Sequence, residues 1–482
     1  MGDVEIALNR FGLGWKAGEA PPANPRRWLV DQIARYDPAP AGIAALPRTP
    51  EQIGKLAALQ TARTERRQDR AEAANEPAPK AMTQPAMESR ATPSSQPRPE
   101  AQLLKPLRDS YVQAAGARMA QAVATDTPFM ERLVAFWSNH FAVSIDKGTV
   151  IGLAGTFENE AIRPNVNSKF SDLLFAAVRH PAMLLFLDQA QSIGPNSLLG
   201  QRAQRRGAER KPGINENLAR EIMELHTLGV HSGYTQADVT EFAKALTGTT
   251  VTGLGRLARL LPYDSGRAAF VEQLHEPGAR TVMGKKYAQA GEAQGRAILN
   301  DLAAHPATAR HVATKLARHF AADHPPPALV ARLEQVYLKT GGDLPSLYRA
   351  LVESPEPWSN PGAKFRQPWE WLVAVQRATG LVIPAQGGQF SLNQLGQPTW
   401  RPGSPAGWDD LAASWAAPDA LLRRVELANR YSRNLATIDS RTLAPRLFPE
   451  SLSEGTRTAV ARADSGQQAL ALLLVSPEML RR

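Results

Sequence analysis

A mostly α chain, folded as a single large multi-helical body with one small β-hairpin, is the architecture this sequence predicts. Three observations lead there. Apolar residues recur at helical spacing through most of the 482 residues. The segments that carry them open on Ser, Thr, Asp or Asn and close on Gly or ahead of Pro. Strand patterns do not alternate with helices, as a parallel sheet would require. The composition, 43% apolar and 21% charged, is that of a soluble globular protein. The chain has no cysteine, so disulfides, cysteine-ligated metals and thiol nucleophiles drop out.

Residues 1–69 form N-terminal helices, one of them with Trp28, Leu29, Ile33 and Tyr36 on a stripe. Residues 70–100 are rich in Ala, Pro, Ser, Gln and charge without apolar periodicity, which predicts a mobile low-complexity excursion. A helical core follows over 101–380. Within it, Thr127 and Pro128 are a cap and first residue, and Phe129, Leu133, Phe136 and His140 share one stripe. The best-marked helix is 215–229. Asn215 suits its N-cap, Gly229 its left-handed stop, and His226 falls among Leu218, Ala219 and Ile222. Glu216, Arg220, Glu221 and Glu224 share the opposite face. Thr235 and Asp238 make a capping box. The predicted hairpin joins 270–274 to 281–283 around His275-Glu-Pro-Gly278. Residues 381–482 form a Pro- and Trp-rich loop followed by a helical cap.

All nine histidines lie between residues 140 and 324, with Glu158 and Glu160 among them. Imidazoles and carboxylates are the groups that bind divalent metals or move protons. His140, Glu160 and His226 are therefore the candidate ligands of a divalent metal. Glu158, Arg220, Glu221, Glu224 and His226 are the candidate catalytic groups. None of the spacings is a metal signature: His-Glu-x-x-His is absent. Each candidate also has a plainer role, as a core histidine on a backbone carbonyl or as one member of a surface ion pair along Glu216, Arg220 and Glu224. His311, Lys315 and His319 share a helix face, read as a solvated or partner-facing stripe. An anion beside Lys315 is the weaker reading of that face.

The net charge is +10, and residues 201–211 carry five basic residues against one acidic. Without interleaved aromatics they predict an exposed loop rather than a nucleic-acid site. The tryptophans of 358–415 sit among prolines, as in a packed cap, with a carbohydrate platform as the alternative. No apolar run approaches the ~18 residues of a membrane span. The start lacks a basic region followed by an apolar stretch, so the sequence as given predicts a cytoplasmic protein. Export with a partner, or loss of a leader, is the other reading.

Six motifs occur in order: Asn9-Arg-Phe-Gly12, Phe136-Trp-Ser-Asn-His-Phe141, Phe157-Glu-Asn-Glu-Ala-Ile-Arg-Pro164, Arg179-His-Pro-Ala-Met183, residues 215–229 with Gly233-Tyr-Thr-Gln-Ala-Asp238, and Lys315-Leu-Ala-Arg-His-Phe320. Lys364-Phe365 follows. Over nearly its whole length the chain resembles the bacterial family called domain of unknown function 1800. That family is defined by sequence rather than by a reaction. Its members are often neighbours of sulfatase-like proteins of the family called domain of unknown function 1501, many of them exported. The resemblance therefore implies, as the alternative to a helical enzyme with a His/Glu centre, a non-catalytic partner or maturation factor. Asn165 and Thr249 depart from the family pattern, which commonly has His and Trp there.

Overall fold

Proline at the first helical position is the commonest start signal here, and two of the caps ahead of it are histidines. His180 and His305 each accept with Nδ1 from the backbone N–H two residues on, at 3.2 and 3.1 Å. The helices they start are Pro181–Phe186 and Pro306–Phe320. An N-cap needs only a side-chain acceptor of the right reach, and a neutral imidazole nitrogen supplies one. Asn24 does the same for Pro25–Arg35, and the Thr235/Asp238 capping box forms as expected. Thr127 differs: its side chain caps nothing, although the helix Pro128–His140 does start beside it.

The computed structural model describes residues 2–75, 99–206, 213–254, 266–359, 362–435 and 437–482. The chain is mostly α, with two small two-stranded antiparallel sheets. Helix Thr49–Asn75 runs six residues into the expected excursion and helix Pro99–Ala124 takes its last two; residues 76–98 lie outside the described residues. Two cores organise the helices. The larger joins segments from Ile6 to Trp358, with Trp400 of the C-terminal loop, around Pro128–His140, which is buried at nearly every position. The smaller packs Pro368–Thr379 against Pro418–Ser432, Ser440–Leu447 and Gly466–Leu474. Pro368–Thr379, grouped by sequence with 101–380, thus packs with the 381–482 cap. Pro99–Ala124 spans both, with Leu107 in one core and Met119 in the other.

The hairpin is real but its pairing differs from the expected one. Ala268–Phe270 pairs back with Thr249–Val251, and Arg280–Val282 pairs forward with Lys285–Tyr287. The segment between them is tied elsewhere. His275 Nδ1–H donates to the Thr247 carbonyl at 2.9 Å, and Glu276 N–H donates to Thr247 Oγ1 at 2.8 Å. The tight turn lies instead at Met283 and Gly284, both at positive φ, the combination that suits the right-handed twist of a two-residue hairpin.

Three of the six sequence motifs adopt the same rare backbone. Ala7–Phe11, Glu158–Ile162 and Ile222–His226 are π-helical turns. A π turn inserts an extra residue per turn and rotates the side chains that follow it. The 215–229 segment begins as Asn217–Glu221 and widens after it; its N-cap is Glu216 rather than the expected Asn215, which accepts from Asn217 N–H at 2.9 Å one residue ahead of the cap. Thr227 Oγ1–H donates to the Ile222 carbonyl at 2.7 Å, and Gly229 sits at φ +89° as the expected stop.

Candidate functional site

The widened turn leaves its last carbonyls pointing at imidazoles. His140 Nε2–H donates to the His226 carbonyl and His311 Nε2–H to the Leu225 carbonyl, each at 3.1 Å. A carbonyl only accepts, so the proton of each ring is fixed on Nε2. The His140 ring lies 6.1 Å from both the His226 and the His311 rings, centroid to centroid. His140 and His226 therefore meet, as their apolar stripes predict. Their surroundings are aromatic: Phe141 lies 4.5 Å from His140 and 5.1 Å from His226. Burial first, then the Lys315 and His311 charges, holds His226 down at about 3 and His140 well below its ordinary value. Both rings are neutral at physiological pH.

The carboxylates expected beside them are elsewhere. Glu160 accepts from Thr49 N–H at 3.0 Å and faces His180 at 3.7 Å. That Glu–His–Thr grouping looks catalytic in outline, since Thr49 Oγ1 is 3.1 Å from His180 Nε2. His180 Nδ1 is occupied as the acceptor of a helix cap, so Nε2 carries the proton and cannot take one from Thr49. Glu158 is fully buried and holds Arg118 Nε at 2.8 Å and Trp400 Nε1–H at 3.1 Å. Burial would raise its carboxyl; Arg118 and Arg163 outweigh that and lower it. Arg220 bridges Glu216 at 3.2 Å and Glu224 at 3.6 Å on a half-exposed face, the ordinary ion-pair row. Glu221 is raised by its burial and by Glu224. No hydrogen bond or ion pair among the described residues links Glu160, Arg220, Glu221 or Glu224 to the side chain of His140 or His226. Among the described residues no three His, Asp or Glu side chains are arranged to hold a metal ion, so His140, Glu160 and His226 do not form the expected ligand set.

What His140 does border is a cavity of about 500 Å³. Its walls are Pro128–His140, Pro306–Phe320, Pro368–Thr379 and the loop 397–410. The loop is pinned at both ends. Trp408 exchanges two backbone bonds with the Asn139 amide, at 2.7 and 2.8 Å, and the Trp400 carbonyl accepts from Ile145 N–H at 3.0 Å. Gly407 is needed there: it has φ +82°, and a Cβ would come within 2.3 Å of the Asn139 carbonyl. Arg118 lies over the Trp369 ring at 4.5 Å.

The helix Pro306–Phe320 brings His311, Lys315, Arg318 and His319 to this wall. The stripe thus faces a cavity rather than bulk solvent. A polar face predicts open solvent only until a distant loop, here 397–410, covers it. His319 Nδ1–H donates to Asp410 Oδ2 at 2.8 Å, and its buried Nε2 has no partner among the described residues. Burial would raise Asp410; His319, Lys364 and Arg482 outweigh it and hold the carboxylate ionised. Burial lowers His319 more than Asp410 raises it, so the ring is neutral with its lone pair on Nε2. Lys315 is half-buried and has no hydrogen-bond or ion-pair partner among the described residues. Burial and Arg318 bring it down to about 8, against the pull of Asp410. His311 is held at about 4 by burial and by Lys315.

Behind this wall the interior is rich in cations. Glu370 pairs with Arg132 and, at 3.0 Å, with Arg482; Lys364 pairs with Asp323 at 2.6 Å. Arg366 and Arg424 are fully buried and bonded to carbonyl or amide oxygens rather than to carboxylates. Positive charge is in excess there, and its field falls on the cavity. Burial alone would raise Glu370; Arg132 and Arg482 reverse this and bring it to about 2.

A helical body with a covered, cation-lined cavity is the class of protein these features define. The chain belongs to the family described as protein of unknown function DUF1800, whose model matches residues 6–481. No curated protein and no solved structure matches it. Among the described residues no helix is long and apolar enough to cross a membrane. Of the basic segment 201–211, Arg202, Arg205 and Arg206 are exposed at the end of helix Leu198–Arg205, and residues 207–211 lie outside the described residues.

Proposed function

We propose that this protein is an enzyme acting on a small organic anion in the cavity beneath the loop 397–410. His319 is the proton-transferring group, Asp410 orients it, and Lys315 and Arg318 hold the anion. The observation that carries this reading is the His319–Asp410 bond with Nε2 left unpartnered in the cavity wall. A carboxylate on Nδ1 fixes the tautomer whose Nε2 accepts a proton, the arrangement general bases require. The reading keeps the helical enzyme that the histidines suggest and moves its centre from the 221–226 turn to residues 311–319 and 410.

The test is proton NMR of the protein with a panel of small carboxylates and phosphate esters in heavy water. Turnover or carbon-bound hydrogen exchange of one panel member, lost in His319→Gln while the fold persists, is expected. Anion binding without turnover of any member would favour the non-catalytic partner instead.

A further inference from the structure

We propose that Lys315 is a nucleophile that captures the carbonyl carbon of a small 2-oxo acid as an imine, with the substrate carboxylate on Arg318. This rests on the anion-site reading above and adds the reactive carbon to it.

Among the described residues Lys315 lacks the carboxylate that the protein's other buried and half-buried lysines have. Lysines near structural carboxylates are held by them: Lys364 by Asp323 at 2.6 Å, and Lys147 by Asp188 at 2.6 Å. Lys315 lines the cavity with no such partner among the described residues, and its neighbours on the same helix are His311, Arg318 and His319. An ammonium there is desolvated beside another cation, and only the Asp410 charge favours it. Losing the proton relieves that penalty, which is how buried lysines become nucleophiles. With its value near 8, about a tenth of the amine is neutral at pH 7, against well under a hundredth for an exposed lysine.

The step balances without an oxidant or reductant. The Nζ lone pair attacks the carbonyl carbon, Nζ then gives up one proton, and the carbonyl oxygen takes one up to give a neutral carbinolamine. A second proton on that oxygen lets it leave as water while nitrogen forms the C=N bond; hydrolysis reverses the sequence. His319, one helical turn along and lining the same cavity, would take the proton from Nζ and return it to the leaving oxygen. Arg318 offers a planar donor fork suited to a carboxylate, and its buried Nε has no partner among the described residues. The protonated imine would then acidify the neighbouring C–H, the kind of proton a neutral His319 can accept.

The experiment is to incubate the full chain with pyruvate and cyanoborohydride, digest it and map adducts by mass spectrometry. One reduced pyruvate adduct on the peptide bearing Lys315 is expected, forming faster as the pH rises towards 8. It should be absent from Lys315→Arg and Lys315→Met. No adduct, or adducts on other lysines in place of Lys315 in the wild-type chain, would overturn the proposal without needing either variant to fold. If no adduct forms but acetate still raises the melting temperature of the wild type and not of Lys315→Met, the imine is wrong and the anion site stands. If acetate has no effect either, both readings fail.

Discussion

His140 Nε2–H donates to the carbonyl of His226 across 3.1 Å, and His311 does the same for the neighbouring carbonyl of Leu225. Two imidazoles thus close the end of the motif helix, where backbone carbonyls have no partner within the helix. His140→Phe leaves the His226 carbonyl buried and unpaired and should cost about 1–3 kcal/mol. His140→Gln, which keeps a donor, should cost less. Urea midpoints at unchanged slope would measure both; equal losses would show that ring packing rather than the bond is what matters.

Acid should destabilise the fold earlier than its carboxylates alone would. His226 and His311 are held at about 3 and about 4 by burial and neighbouring charge. The unfolded chain binds these protons from about pH 6.5 downwards, so stability rises with pH between the folded values and about 6.5. Glu370, at about 2, adds loss of the same sign only below about pH 4. Melting temperatures across this range should therefore start to fall near pH 6.5. His226→Leu should flatten the upper part of that slope; an unchanged slope would remove His226 from the account.

Glu158 and Glu221 separate a structural carboxylate from a peripheral one. Glu158→Ala takes the carboxylate from Arg118, while Arg163 keeps its pair with Glu131, and should cost about 3 kcal/mol, with a change in Trp400 fluorescence as its indole loses a partner. Glu221→Gln should stay within about 0.5 kcal/mol of wild type and leave anion binding intact. Loss of anion binding in Glu221→Gln with a normal melting temperature would return the centre to the 221–226 turn.

Gly229→Ala should be costly out of proportion to its size. The residue has φ +89°, and a Cβ would stand 3.0 Å from His311 Nδ1. Left-handed backbone alone costs a non-glycine residue about 1–2 kcal/mol. The displaced His311 should also weaken anion binding, whereas a purely local strain would leave binding unchanged.

The fold was legible because local signals carry it: proline and polar caps, helical stripes, and glycine stops such as Gly229. The meeting of His140 and His226 was legible for the same reason, since two imidazoles on apolar stripes share one core. The π turns were not, because a widened turn keeps the composition of an α-helix. The hairpin pairing was missed because Met283-Gly284 carries no strong turn signature and His275 is fastened to Thr247. In the site, the stripe of His311, Lys315 and His319 could be read from spacing. Its environment could not: Asp410 lies 91 residues from His319, in a loop without periodicity.

In the proposed site Lys315 and Arg318 hold a small anion. Calorimetric titration of pyruvate into the wild type and into Lys315→Met distinguishes this from a structural role. A charged hydrogen bond contributes about 1.5–3 kcal/mol, so the variant should bind about 10–100-fold more weakly, and added salt should weaken the wild type. Equal affinity in the two proteins, or none in the wild type, would contradict the account.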